Sequence, residues 1–573
     1  MADVQRILEY YKTLQSEKQL YLPVFETLNQ FVRLRKQSFI GEYLPGTFLT
    51  SGEIFDATAI NANSIMSAAL IGNMWPNGAR SIRIVKPDSL GNTTAIENYY
   101  KTISQIAAEK MDHPKARLSL AINEDMNDLG AFGTCGIAVF ANKGNKDNPL
   151  SYKVWDVKTM SIDEDANGIV DTICNEFSLT VRQVVEEYGL DKCSEQVQKL
   201  YKDGKYQEKI SILHAIMPRP LAEQKEGGNT NKGKKVASYH IEMKSNHLLR
   251  ESGYDSIPVV VSRFYKVPGE KYGRSPAMQA IPDILELNAV REGKMLATEK
   301  LMSPPLMVLD DGTLGAGEID DSPNGVTVVN VSGRISNQDP IKPLYTVGEL
   351  QSVENHTEQL RQQITQAFFI DRLLDLNNDT RMTLGEAQIR NRIRGESLTS
   401  IFDRQELELF VPLIDRSMGI LLGEGLLGVK DGSDEQIKQE ANGQRVLTIP
   451  PEVQDLIDSG REWYKIQFIS PAKRMQQAEE LQGIYATMEI AAGAAQYDAT
   501  VLDWINKDVM LRRATELSGG PSELINSEDT VLEVRQARAE QQAALAEQER
   551  MRNESEVARN MAQAQSMAVQ SGI

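Results

Sequence analysis

The most constraining feature of this chain is the stretch from Glu528 to Gln570. It contains no glycine and no proline, and alanine, glutamine, glutamate and arginine dominate it. Propensity makes it a helix, about 60 Å long at 1.5 Å per residue. Yet Leu532, Leu545, Met551, Val557 and Met561 are scattered between alanines. That apolar surface is too thin for the helix to dock on its own subunit. The two readings are a fraying solvated tail and a helix that orders only beside copies of itself. We favour the second, with small alanine faces in contact and Arg–Glu pairs between chains.

The rest of the 573 residues reads as several modules. Residues 3 to 36 give two helices split near Pro23, with Ile7, Leu8, Tyr11 and Leu14 at helical spacing. A helix follows over 56 to 74, opened by Asp56 as a cap. Its small residues Ala57, Ala59, Ala62, Ala68 and Ala69 allow close packing. Another helix, Ala116 to Gly130, breaks at Phe132-Gly133-Thr134 into a strand, Gly136 to Ala141. From Tyr152 to Leu179 the pattern is strand, acidic turn (Asp163 to Gly168), strand. The turn lacks the spacing and terminal glutamate of a calcium loop, so it reads as a hairpin. Residues 222 to 236 read as a surface loop, and strands resume at His240 to Met243 and Ile257 to Tyr265.

Two long helices then bracket a turn-rich segment. The first starts with Ser275 as cap and Pro276 at the first helical position and ends at Pro304-Pro305. The second spans about Val347 to Ile370. Between them are short strands, Met307 to Leu309 and Val326 to Val331. A polar loop, Asp371 to Arg381, leads to a long helix, Thr383 to Leu422, interrupted near Gly395 and Pro412. Beyond it, Trp463 to Ile469 reads as a strand and Pro471 to Leu517 as helices.

Composition excludes several roles. The net charge of −18 disfavours a tight nucleic-acid binder, which is usually basic. It allows a protein past which DNA slides. Cys135, Cys174 and Cys193 are few and widely spaced, which fits buried thiols rather than disulfides or zinc. The opening Met1-Ala2-Asp3-Val4 does not read as a secretory signal. The most apolar run, Leu413 to Leu427, is interrupted by Asp415, Arg416 and Glu424 and reads as a buried helix, not a membrane span.

Chemistry is mostly absent from the sequence. There is no GxxxxGK[ST], no HExxH, and the glycines of Gly312 to Gly317 do not make a GxGxxG loop. His113, His214, His240, His247 and His356 are scattered and suggest no metal site. Gly273-Arg274-Ser275-Pro276-Ala277 lacks the second glycine of a nucleophile elbow. The expectation is no enzyme, no cofactor and no metal.

An ordered set of short motifs resembles one family, the head-to-tail connectors (portal proteins) of podovirus-like phages. Phe55-Asp56-Ala57-Thr58-Ala59 with Met74-Trp75-Pro76 is similar to the family's opening motif. Asp125 to Thr134 resembles its helix-to-strand junction. Tyr272-Gly273-Arg274-Ser275-Pro276, directly before the first long helix, is the most specific match. Arg381-Met382-Thr383 with Glu386 resembles the start of its central helix, and Ser470-Pro471 its C-terminal region.

The resemblance implies an α+β, mostly helical portal fold in a homo-oligomeric ring, usually of twelve copies. It places the N-terminal part of a wing at 1–275, stem helices at 276–303 and 347–370, and a clip between them at 304–346. A tunnel loop follows at 371–382, the rest of the wing at 383–470, a crown at 471–527 and a helical barrel at 528–573. Such a ring stands at the unique capsid vertex of the virion, made in the host cytoplasm, where viral double-stranded DNA is packaged and ejected. Implied partners are terminase, tail adaptor and tail proteins, major capsid and scaffolding proteins, internal ejection proteins, and DNA held weakly and without sequence preference. Twelve copies would carry about −216 in charge, limiting adhesion to phosphate. Lys294, Lys300, Arg361, Arg372 and Arg381 are candidates for DNA contacts in the tunnel; for Lys294, Lys300 and Arg361, each able to add a basic ring, the alternative is an ordinary helix-surface ion pair. Asp310, Asp311, Glu318, Asp320, Asp321 and Arg334 are candidates for the clip's partner surface. A coiled-coil scaffolding protein would account for the Ala/Gln/Glu segment but not for the strand-rich middle. A packaging enzyme would need motifs the sequence lacks.

Overall fold

The computed structural model describes residues 4–33, 39, 54–91, 93–142, 148–221, 224, 231–302, 306–308, 341–343, 351–373, 398–429, 447–469, 471–495, 500, 504–517 and 528–570. They form a mixed α+β structure, mostly helical. The first helices are α1 (Val4–Gln19), α2 (Leu22–Phe31), α3 (Thr58–Met74), α4 (Thr94–Met111) and α5 (Leu118–Phe132). They are followed by α6 (Val181–Tyr188), α7 (Glu195–Lys202), α8 (Pro276–Met302), α9 (Gln351–Ala367) and α10 (Ile370–Leu373). The strands are β1 (Ile82–Val85), β2 (Thr134–Ala141), β3 (Leu150–Trp155), β4 (Met160–Glu164), β5 (Val170–Thr180) and β6 (Lys209–Pro218). The remaining strands are β7 (Val236–Glu242), β8 (His247–Tyr254), β9 (Val259–Arg263), β10 (Leu306–Val308), β11 (Ile341–Pro343) and β12 (Lys465–Phe468). The chain divides into two units, Met1–Trp75 with His113–Ser417, and Pro76–Asp112 with Met418–Ile573.

In the first unit, β4-β5-β6-β7-β8 make an antiparallel sheet. The expected stripe of α1 (Ile7, Leu8, Tyr11, Leu14) covers one face, against Leu213, Ala215, Tyr239 and Ile241. Each such side chain, fully buried, stabilises by about 1.5–3 kcal/mol. The other face packs Val181, Val184, Tyr188 and Val197 of α6 and α7 over Ile210, Ile212 and Leu249. On that face His214 and His240 stack with ring centroids 4.0 Å apart. His214 Nε2 meets Ser238 Oγ at 2.9 Å. Arg250 can only donate, so His240 Nε2 accepts a hydrogen bond from it at 3.2 Å and Nδ1–H donates to the Tyr188 hydroxyl at 2.8 Å. Burial pushes His214 down to about 3 and His240 lower still, helped by Arg250. Both imidazoles are therefore neutral.

The strand–turn–strand expectation needs a correction here. An additional strand, β4, precedes the acidic turn, and the hairpin is β4–β5. The strand containing Tyr152 to Trp155, β3, belongs to a separate sheet, β3-β2-β9. The turn is held by the Asp165 carboxylate, which accepts the N–H groups of Asn167 (2.8 Å) and Ile169 (2.9 Å). The cysteines are buried, as expected.

Helix α5 packs closely on α3. A Cβ at Gly130 would lie 2.2 Å from Asn63 Oδ1 and 2.3 Å from the Met66 methyl, so any larger residue there would have to displace these side chains. Asn63 donates to Asn127 O, and Ser67 to Met126 O. Ala59, Ala62 and Ala69 are buried in this half, whereas Ala57 and Ala68 face outward.

The helix expected from Val347 to Ile370 differs from the observed one. It ends at Ala367, because Phe369 adopts a left-handed backbone (φ 57°) before the short α10 begins. Asp371 and Arg372 are therefore helical, not part of a loop. Residues 347–350 lie outside the described residues, as do Pro304-Pro305, Val326 to Val331, the loop from 374 onward and the helix start with Thr383, Glu386 and Gly395. From 398 the chain is helical. The interruption expected near Pro412 takes the form of a π-helical turn, Glu406–Phe410, after which the helix continues as Val411–Gly423. Val411 N–H bonds Glu406 O, five residues back. The wide turn leads into a residue that has no N–H to donate.

In the second unit β1 pairs antiparallel with β12, Ile82 opposite Phe468. Tyr99 of α4 donates to Leu427 O at 3.0 Å, and Tyr100 to Trp463 O. Helices Pro471–Ala495 and Lys507–Leu517 are joined by Arg513–Glu480 at 2.8 Å. Arg535–Asp508 at 2.7 Å links the second of these to the helix Glu528–Gln570. That last helix has the expected extent, and nearly all of its described side chains are exposed. No described helix is long and apolar enough to cross a membrane.

Candidate functional site: a helix pair clasped by an acidic residue

The expected signals at the start of α8 are present in full. Ser275 Oγ accepts the Met278 N–H at 2.9 Å, capping the helix, and donates to Ala131 O at 2.8 Å. Pro276 occupies the first turn. One serine thus ties the start of α8 to the end of α5. Gly133, ending α5 with φ 74°, lies back to back with Gly273. A Cβ on Gly273 would lie 2.2 Å from Gly133 O. Gly273 N–H donates to Thr134 Oγ1 at 2.7 Å. Tyr272 is buried against Tyr21 and Phe25. Arg274 is half exposed and pairs with Glu270 at 2.5 Å. The motif from Tyr272 to Pro276 is therefore a structural joint.

Beyond this joint α8 runs beside α9. Lys294 pairs with Glu354, and His356 meets Glu286 at 2.9 Å. The segment before α3 threads onto the pair. Asn288 of α8 accepts the N–H groups of Phe55 (3.0 Å) and Asp56 (3.3 Å). Asp56 Oδ1 accepts from the Thr58 N–H at 2.9 Å and from the Thr58 hydroxyl. The helix thus starts two residues later than expected: the N-cap position falls on Ala57, which makes no side-chain cap, and Asp56, one residue earlier, accepts the N–H of the first helical residue. Its Oδ2 receives two hydrogens of Arg361, from Nη2 at 2.8 Å and Nε at 3.2 Å, while Arg291 Nε lies at 3.7 Å. The Asp56 side chain is 5% exposed. Burial alone would raise its pKa, but the bonds from Thr58 and Arg361 outweigh that and hold it below the ordinary carboxylate range.

The candidate residues divide accordingly. Lys294 and Arg361 are engaged in ion pairs within the chain, which favours the helix-surface reading for both. Lys300 and Arg372 are exposed, and Arg372 lies over the Phe369 ring at 5.5 Å. Arg381 lies outside the described residues, as do Asp310, Asp311, Glu318, Asp320, Asp321 and Arg334. Of the segment between the helices, β10 and β11 are described, and they pair antiparallel.

Two features escaped the sequence reading. One is Asn288, a single amide on the buried stripe of α8 beside Ile284 and Leu287. The other is Arg263, 4% exposed, which binds Glu408 through Nε (3.0 Å) and Nη2 (3.0 Å) and also pairs with Glu164. A lone arginine ending the apolar run Val259–Arg263 was its only signal. Among the described residues no group of three or more His, Cys, Asp or Glu could hold a metal ion.

Comparison with known proteins gives the family context. The model of a family described as "Bacteriophage head to tail connecting protein" matches residues 4–525. The portal protein of Salmonella phage epsilon15 is 24% identical over 570 residues, covering 98% of this chain and 96% of that protein. A probable portal protein of Bordetella phage BPP-1 is 24% identical over 542 residues, covering 94% and 91%. Among solved structures, a chain from the virion of a native gene transfer agent particle aligns with a TM-score of 0.30 and 11% identity, over 68% of this chain and 80% of that one.

Proposed function

This chain belongs to the family of bacteriophage head to tail connecting proteins, and from that premise we propose how its parts serve the portal role, the passage of viral double-stranded DNA into and out of the capsid. The observation that carries the reading is the unbroken match over 4–525, together with portal relatives aligned over nearly their whole length. The chain is a virion component with a structural role. We assign α8 and α9 to the stem that surrounds the DNA, and the segment 304–346 between them to the clip, which meets terminase first and tail adaptors later. The tunnel loop is assigned to 374–382, after the short helix α10, which takes up the first residues of the expected 371–382 segment. The wing comprises 1–275 and 383–470, the crown 471–527, and the barrel 528–573.

Several observations support the assignment. Paired helices with a small β-ribbon, β10–β11, between them suit a neck with a protruding partner surface. The exposed helix Glu528–Gln570 has little apolar surface to bury within one subunit, which suits packing between subunits. Lys300 and Arg372 are the exposed candidates for tunnel contacts, whereas the acidic net charge limits adhesion elsewhere. A ring of about twelve copies is the expected assembly.

Negative-stain microscopy of the purified full chain tests the reading. Annular particles with a central hole are expected. A monomer at micromolar concentration across several salt conditions would refute it.

A further inference from the structure

We infer that Asp56 is an internal counter-ion that withholds Arg361 and Arg291 from DNA phosphate, so that the helix pair guides the duplex without gripping it. The inference rests on the reading that α8 and α9 border the DNA path. Arginine is the side chain best suited to grip a phosphate, because its planar fork donates two parallel hydrogen bonds to an oxyanion. Two arginines facing one another across a helix pair would form such a grip in every copy of a ring. Here both converge on a carboxylate supplied by the chain itself.

Asp56 is built as a fixed acceptor, independent of the arginines. Its Oδ1 is held by the Thr58 N–H and hydroxyl, and its backbone is held by Asn288. Only Oδ2 faces the guanidinium groups. If Arg361 swings away, the carboxylate stays in position to recapture it. The arginine itself is 30% exposed, so it is not sealed from solvent; electrostatic engagement rather than burial keeps it in place. Glu358, at 3.4 Å and 58% exposed, adds a weaker second acceptor. The other cation at the helix contact, Lys294, is paired with Glu354. Asp283, Glu286, Glu292, Glu299, Glu354 and Glu358 on the two helices outnumber Arg291, Lys294, Lys300 and Arg361. A surface of this balance repels the backbone of DNA, provided its arginines stay engaged.

The test is Asp56→Asn, which keeps the acceptor for Thr58 and removes the charge. Binding of a short linear duplex to purified rings is measured from about 50 to 200 mM salt, for wild type, D56N, R361Q, D56N/R361Q and D56N/R291Q/R361Q. Each added phosphate contact steepens the log–log salt slope by about 0.9, an extra loss of about 3- to 4-fold across this range. D56N is expected to bind more tightly at low salt with the steeper slope, R361Q to match wild type, and the double and triple variants to return toward wild type. D56N rings that bind as wild type does would overturn the inference, and so would a gain that persists in D56N/R291Q/R361Q, in which neither arginine remains to be released. A measurement on wild-type rings covers the case in which D56N does not assemble. Arginine modification by phenylglyoxal, read by mass spectrometry, should label Arg361 equally with and without duplex, and protection of Arg361 by DNA would refute the counter-ion role. If wild type itself forms no rings, the portal reading fails first and this inference falls with it.

Discussion

Replacing Gly273 by alanine should open the joint from which α8 departs. The added Cβ would stand 2.2 Å from Gly133 O and 2.9 Å from Arg263 Cβ. Carbon and carbonyl oxygen approach to about 3.3 Å at closest, so the two backbone segments must part by about 1 Å. Neither can yield cheaply. Gly133 O accepts the Phe264 N–H at 3.0 Å, and Gly273 N–H donates to Thr134 Oγ1 at 2.7 Å. Losing one of these bonds costs about 1 kcal/mol, and overpacking strain adds about 1–3 kcal/mol. A loss of about 2 to 4 kcal/mol corresponds to exchange faster by about 30- to 1000-fold for amides that open with the joint. Hydrogen exchange by mass spectrometry on the full chain reads this directly over peptides covering β2, β9 and the first turn of α8. Gly72→Ala is the control. Gly72 lies within α3, and a Cβ added there would meet nothing within 4 Å. The substitution should therefore stabilise by about 0.5–1 kcal/mol. Exchange in Gly273→Ala within threefold of wild type would show that the glycine contact does not hold the joint.

Two further outcomes follow from the same geometry. Ser275→Ala removes both the Met278 cap and the tie to Ala131, and should cost about 1–2 kcal/mol in urea unfolding; Ser275→Asp or Ser275→Thr should recover part of the cap. The stacked His214 and His240 have folded pKa values depressed by burial. Their neutral contribution is intact above an unfolded pKa of about 6.5 and is lost as pH falls toward the folded values, because the unfolded chain takes up protons first. For His214 the loss at two units below 6.5 is about 2 to 3 kcal/mol. Urea midpoints should fall between neutral pH and that point, and His214→Leu should flatten the decline; a slope unchanged by this substitution would refute the assignment.

What could be read in the sequence was whatever local chemistry controls. Ser275-Pro276 starts α8 because a hydroxyl and a fixed φ act within one turn. Gly133 ends α5 because the left-handed residue there has no Cβ. The extent of Glu528–Gln570 follows from the absence of a breaker. Failures occur where distant segments decide. Phe369 ends α9 in a left-handed conformation that no local signal announces, since a bulky aromatic is a poor choice for it. Strand β3 pairs with β2, which precedes it, and not with β4, which follows it; alternation of side chains says nothing about partners. The clasp on Arg361 was invisible because Asp56 stands 305 residues away.

The second unit carries a consequence for synthesis. Strand β1 pairs with β12, and Ile82 and Lys465 are 383 positions apart in the chain. At about 5–20 residues per second, β1 leaves the ribosome about 20 to 75 s before its partner exists. Throughout that interval Ile82 and Ile84, buried in the finished protein, have no strand to pair with. The first unit can meanwhile build nearly all of its sheet from neighbours close in sequence. The protein is thus made with an unmatched hydrophobic edge held open for most of its translation, a window in which chaperone engagement or premature pairing between nascent chains would decide yield.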